Sequence, residues 1–232
     1  MIVPSHQPNQ ILNVSSFQDL VSTSFHGEVN AICWMRKLQG NFAEIVEKVE
    51  LEGNMMVLEP EDLIALELSE QGQDARELLL NDMALLKAAG TDPTLNLIKC
   101  YAEDDSFPFF PTDVYSFHVD RSPVPAATIL CTYHGDSSDI LPNAHANQKI
   151  LVPEIRAELK KLHQGSDEDF ESFLKEYFFD LHYEAKPHAV PINLGNGHLW
   201  RLAIDHPESQ VPPCIHRAPK EKNGQTRLML IC

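Results

Sequence analysis

Basic residues are scarce in this chain. Its 232 residues hold 18 Lys and Arg against 34 Asp and Glu, a net charge of −16. Nucleic-acid affinity comes from clustered Lys and Arg, so a surface this short of cations argues against a phosphate-backbone partner. Cysteines are few and unpatterned. Cys33, Cys100, Cys131, Cys214 and Cys232 form no C-x-x-C and are odd in number. Three lie in apolar, strand-like runs, which reads as buried free thiols in a reducing compartment. No basic-then-apolar leader opens the sequence and no run of about 18 apolar residues occurs. The expectation is a soluble, cytoplasmic protein with no membrane partner. Internal repeats and low-complexity tracts are missing as well.

What is present suffices for a substantial core, with 43% hydrophobic residues. Residues 1–30 are polar, with Pro4 and Pro8, and read as an irregular arm with a short helix around Phe17–Leu20. Val29 to Met35 reads as a strand. Phe42, Ile45, Val46 and Val49 recur at helical spacing, and a second helix is expected between Pro60 and Ser69. Ala75, Leu78, Leu79, Met83, Leu86 and Ala89 make one stripe of a third helix, which Gly90 stops. After Pro93 the character changes. Thr94–Tyr101, the run around His118, and Ala127–Tyr133 read as strands rich in β-formers. Pro153 opens a helix and Ser166 caps another reaching about Leu181. Short strands follow at 188–192, 198–204, 214–217 and 226–231. The organisation expected is one domain of class α+β, mainly helical over 1–92 and a barrel over 93–232 with a helical insertion at about 153–182.

His-x-Asp/Glu occurs five times, at His26, His118, His134, His182 and His206, where chance predicts roughly 1.6. Of these, His134 falls in a turn, His206 precedes a proline and His182 lies at an expected helix end. His118-Val-Asp120 alone lies inside an expected strand, where residues i and i+2 share a face. Imidazole and carboxylate are then side by side. A second imidazole from a distant strand, for which His216 is the candidate, completes two histidines and one carboxylate on a metal with open positions, the ligand set of non-haem Fe(II) oxygenases. Arg227, on the last expected strand, has the fork geometry to hold a cosubstrate carboxylate. Arg217 is the second candidate, although its neighbour His216 and it face opposite ways. Tyr115 and Tyr133 are candidates to line the pocket and bond the cosubstrate. His134, His145 and His198 have no pattern that ties them to the site.

In motif order this chain resembles the 2-oxoglutarate/Fe(II)-dependent oxygenases. That resemblance implies a double-stranded β-helix, a jelly-roll or cupin-like barrel, with Fe(II) and 2-oxoglutarate as cofactors. A closer resemblance is carried by Ile32-Cys-Trp-Met-Arg36, Phe117-His-Val-Asp-Arg121, Leu130-Cys-Thr-Tyr-His-Gly135, Leu141-Pro142, His216-Arg-Ala-Pro219 and Arg227-Leu-Met-Leu230. These are similar to the DUF1826 family, bacterial proteins without an assigned activity. Where that family has Thr-Glu-Trp before Leu-Pro this chain has Ser138-Asp-Ile140, and it has Ala218 where the family has Ser. Both departures adjoin the expected site. The functional expectation is an oxygenase acting on a small molecule or side chain. The alternative is a barrel holding Zn²⁺ as sensor or hydrolytic centre, since the same ligands suit zinc. Arg227 discriminates: a zinc site has no general need of a buried arginine beside it. Oligomeric state is not legible.

Overall fold

The structure is a computed structural model and describes residues 9–220, 222 and 224–232. The expected irregular start around Pro4 and Pro8 lies outside the described residues. The chain runs β1 (Ile11–Val14), α1 (Phe17–Ser22), β2 (Ala31–Trp34), α2 (Phe42–Lys48), β3 (Met55–Leu58), α3 (Pro60–Ala65) and α4 (Glu70–Ala88). It continues with β4 (Thr94–Ile98), β5 (Phe117–His118), β6 (Ala127–His134), β7 (Asp139–Ile140) and β8 (Ala146–Gln148). Then come α5 (Pro153–Leu162), α6 (Phe170–Glu176), β9 (His182–Ala185), β10 (Ile192–Asn193), β11 (Leu199–Ala203), β12 (His216–Arg217) and β13 (Arg227–Ile231).

The fold is mixed α+β with two sheets. One has seven strands in the order β1-β2-β11-β6-β13-β4-β3; the other has six, β10-β7-β12-β5-β9-β8. Every pairing is antiparallel except β1 with β2. The N-terminal portion is not purely helical in effect: its strands β1, β2 and β3 join the same sheet as β11, β6, β13 and β4.

Side-chain alternation divides the larger sheet into two faces. Leu95 and Leu97 of β4, Ile129, Cys131 and Tyr133 of β6, and Leu228 and Leu230 of β13 pack with Leu79, Met83 and Leu86 of α4 in the main core. Burying an aliphatic side chain of this size stabilises by about 1.5–3 kcal/mol, so this helix-facing layer anchors the sheet. The other face carries Thr94, Asn96 and Ile98, Leu130, Met229 and Ile231. Those residues share a cavity with His118 and His216 of the second sheet. The two sheets thus face one another across it.

One expected helix, from Ser166 to about Leu181, is broken up. Ser166 is followed by a 3-10 turn, and α6 stops at Glu176 because Phe178 adopts a left-handed φ of 60°. The chain then turns into β9, a strand where helix was expected. No helix among the described residues is long and apolar enough to cross a membrane.

Candidate metal centre

β12 lies antiparallel to β5 with His216 opposite His118. Directly paired residues share a face, and the two imidazole centroids are 4.6 Å apart. Asp120 follows β5 by two residues and brings its carboxylate to the pair. Its Oδ2 is 3.6 Å from His216 Nε2 and its Oδ1 is 4.0 Å from His118 Nε2. One ligand atom from each of the three residues lies within 4.8 Å of the others, so the group could hold a metal ion. The three residues singled out in the sequence are therefore brought together.

Hydrogen bonding sets their chemistry. His118 Nδ1 is 2.8 Å from the Ser116 carbonyl, and His216 Nδ1 is 3.2 Å from the Cys214 carbonyl. A carbonyl can only accept, so each Nδ1 carries a proton, and the neutral ring then presents the bare lone pair at Nε2. In both cases the carbonyl belongs to the residue two positions upstream. Fixing the tautomer in this way is how proteins orient metal-ligating histidines. Burial, reinforced by the neighbouring His216, pushes His118 down to about 4, which keeps its imidazole neutral near pH 7.

Asp120 is held too. Thr128 Oγ1 on β6 donates to its Oδ2, and its backbone carbonyl accepts from Asp205 N–H at 2.8 Å. Arg121, the adjacent cation, is engaged elsewhere: its Nε and Nη2 bond Asp205 and Asp180, each at 2.6 Å. The cavity beside the group has a volume of about 310 Å³ and opposes it with the apolar side chains of Ile98, Leu130, Met229 and Ile231.

Arg227 heads β13 in step with Met229 and Ile231, on the cavity side of the sheet. It is 1% exposed, and its Nη2 donates to Ser138 Oγ at 3.3 Å and lies 3.2 Å from Met229 Sδ. Ser138 and Met229 line the cavity, with the guanidinium behind them. Arg217 faces away, as alternation requires. It bonds Asp139 at 3.0 Å and covers the Phe117 ring at 4.4 Å.

Neither tyrosine reaches the group. Tyr133 belongs to the helix-facing layer, where its hydroxyl donates to Asp82 of α4 at 2.6 Å. The expectation that it lines the pocket is corrected, because odd-numbered positions of β6 point away from the cavity. Tyr115 is buried, with its hydroxyl accepting from Tyr101 N–H at 2.8 Å, and it is Tyr101 that lines the cavity. His198 Nδ1 accepts from the Arg36 backbone N–H at 3.2 Å.

Three further residues matter that were not among the candidates, although Ser138 opens one of the departures that adjoin the expected site. Thr128 orients Asp120, and Ser138 puts a hydroxyl into the cavity wall. His182 sits on β9 opposite His118, 6% exposed, with Nδ1 2.9 Å from Ser116 Oγ. Burial, with the charges of His118 and Lys149, pushes it down to about 3. Its His-x-Glu pattern was one of five without context. Only the strand pairing shows that it extends the row of histidines.

Compared with models of known protein families, with curated proteins and with solved structures, the chain matches none.

Proposed function

We propose that this protein is a non-haem Fe(II)/2-oxoglutarate-dependent oxygenase on a jelly-roll, double-stranded β-helix scaffold, acting on a small molecule or a side chain. The observation that carries this reading is the His118–Asp120–His216 group, with both imidazoles locked as Nε2 donors beside a cavity. Two neutral nitrogens and one carboxylate on one side fit Fe(II) and leave its other positions for ligands. When bound, Fe(II) and 2-oxoglutarate supply O₂ activation coupled to oxidative decarboxylation of the 2-oxo acid.

The chain's own residues contribute orientation and apolar surroundings. Thr128 fixes the Asp120 carboxylate. Ser138 accepts from Arg227, so its own O–H is available to a carboxylate in the cavity, with the arginine charge behind it. The side chains of Ile98, Leu130 and Met229 give the space an apolar wall. The motif resemblance to the DUF1826 family is compatible with this reading and adds no activity to it.

One observation favours the second reading, a Zn²⁺ site in a sensor or hydrolytic barrel: the Arg227 guanidinium lies behind the cavity wall and not on it. Anaerobic titration of Fe(II) into the protein with 2-oxoglutarate separates the two. The oxygenase reading expects the weak visible charge-transfer band of the iron–2-oxo acid chelate, lost in His118→Ala and weakened in Ser138→Ala. Metal binding with no band and no response to 2-oxoglutarate selects the zinc reading.

A further inference from the structure

β3 ends the seven-stranded sheet. It pairs with β4, and among the described residues the backbone of Met55–Leu58 bonds to no other segment. Met55 lies opposite Ile98 and Val57 opposite Asn96, so both point to the cavity side of the sheet. They are 53% and 44% exposed, whereas Leu58 on the other face is fully buried. Met55 also lines the cavity that holds His118, Asp120 and His216. A free strand edge, an exposed apolar strip and the candidate metal centre are therefore one continuous surface. Proteins commonly blunt such an edge with lysine, proline or a covering segment. Apart from its four-residue length, Met-Met-Val-Leu shows no such device among the described residues.

The charge of the chain on either side of this edge selects what can cover it. From α2 through α3, the stretch that contains β3, Glu47, Glu50, Glu52, Glu59, Glu61 and Asp62 are all exposed, against Lys48, with Lys99 just past the partner strand β4. A second copy would bring the same acidic rim and its own charge of −16 against this one, and nucleic acid is repelled for the same reason. We propose that β3 is the docking edge for an extended, basic peptide segment of a partner protein. The segment adds to the sheet as a further strand, its cationic side chains meet the acidic rim, and one side chain turns over Met55 into the cavity. Main-chain pairing supplies affinity and alternate side chains supply specificity. Docking rests on the edge and the rim alone. That the inserted side chain is the substrate rests on the metal-centre reading.

The test uses the full chain and two labelled peptides, one alternating Lys and Val and one alternating Glu and Val, followed by fluorescence anisotropy. The Lys–Val peptide is expected to bind at least about tenfold tighter than the Glu–Val one, with affinity falling as salt rises. Val57→Lys changes an exposed side chain and is expected to weaken binding about tenfold by blunting the edge. Equal affinity for both peptides overturns the proposal, and so does unchanged binding in Val57→Lys. Loss in a Glu50→Lys/Glu52→Lys variant with no loss in Val57→Lys shows charge attraction without strand addition, which overturns it as well. Self-association abolished by Val57→Lys replaces the peptide with a second copy. Peptide binding in a wild type that takes up no metal keeps the docking edge and removes the metal-centre reading. Metal uptake without peptide binding does the reverse.

Discussion

Two polar clusters flank the larger sheet, and they are finished in opposite ways. On the helix side, Arg36 meets Asp82 through two parallel bonds, Nη1 to Oδ1 at 2.7 Å and Nη2 to Oδ2 at 2.5 Å. Tyr133 donates a third bond to Asp82, and Arg36 Nε donates to the Gly197 carbonyl at 2.8 Å. Cation and anion cancel, and donors meet acceptors. On the cavity side, His118, Asp120 and His216 converge two bare nitrogens and a carboxylate. Among the described residues Asp120 pairs with no lysine or arginine. The closed cluster needs nothing more and belongs to the fold. The open one gathers acceptors without a cation, which costs free energy unless a cation comes from outside.

Breaking the closed cluster has the largest expected effect. Asp82→Ala strands Arg36 in the core and is expected to lower stability by about 3–5 kcal/mol in urea unfolding, with the metal ligands intact. His118→Ala breaks the open cluster and has the complementary outcome. Metal affinity measured by calorimetry falls more than about 100-fold, while the metal-free protein keeps its stability. Equal stability losses from the two substitutions would erase the distinction.

Acid separates the clusters next. His118 is pushed from its ordinary 6.5 down to about 4, so as pH falls the unfolded chain takes up this proton first. The His118 contribution to the stability of the metal-free protein therefore declines from about pH 6.5 to pH 4, by on the order of 3 kcal/mol, and His182, pushed down to about 3, extends the decline below that. Urea unfolding at a series of pH values should show the decline in the wild type and a shallower one in His118→Ala. Thr128→Val then removes the hydroxyl on Asp120 at near-constant volume. Metal affinity is expected to drop about 10–100-fold, with recovery in Thr128→Ser. The smallest effect belongs to Tyr133→Phe, about 1 kcal/mol of stability and no change in metal binding, since Asp82 keeps Arg36. A loss of metal affinity in that variant would return Tyr133 to the site.

The sequence showed much of the open cluster because its key feature is local. His118 and Asp120 share a face through strand alternation, and β-rich context separated them from four other His-x-Asp/Glu pairs. Their meeting with His216 is a non-local register between β5 and β12, for which the sequence offered order along the chain and no direct signal. Tyr133 was misplaced for a physical reason. Ala127–His134 is apolar on both faces because both are buried, so the strand carries no phase that says which side is which. β3 is four residues long, too short for alternation to stand out. Where a helix was expected to run to Leu181, the left-handed turn at Phe178 ends it early, and the identity of that residue gives no warning of it.

Co(II) titration of the metal-free protein, followed by visible absorption and repeated with His216→Ala, tests the metal centre most directly. One ion per chain is expected, with ligand-field bands that disappear in the variant while its circular dichroism matches the wild type. Absence of binding in the wild type, or bands of equal strength in His216→Ala, would contradict the assignment of His118, Asp120 and His216 as a metal centre.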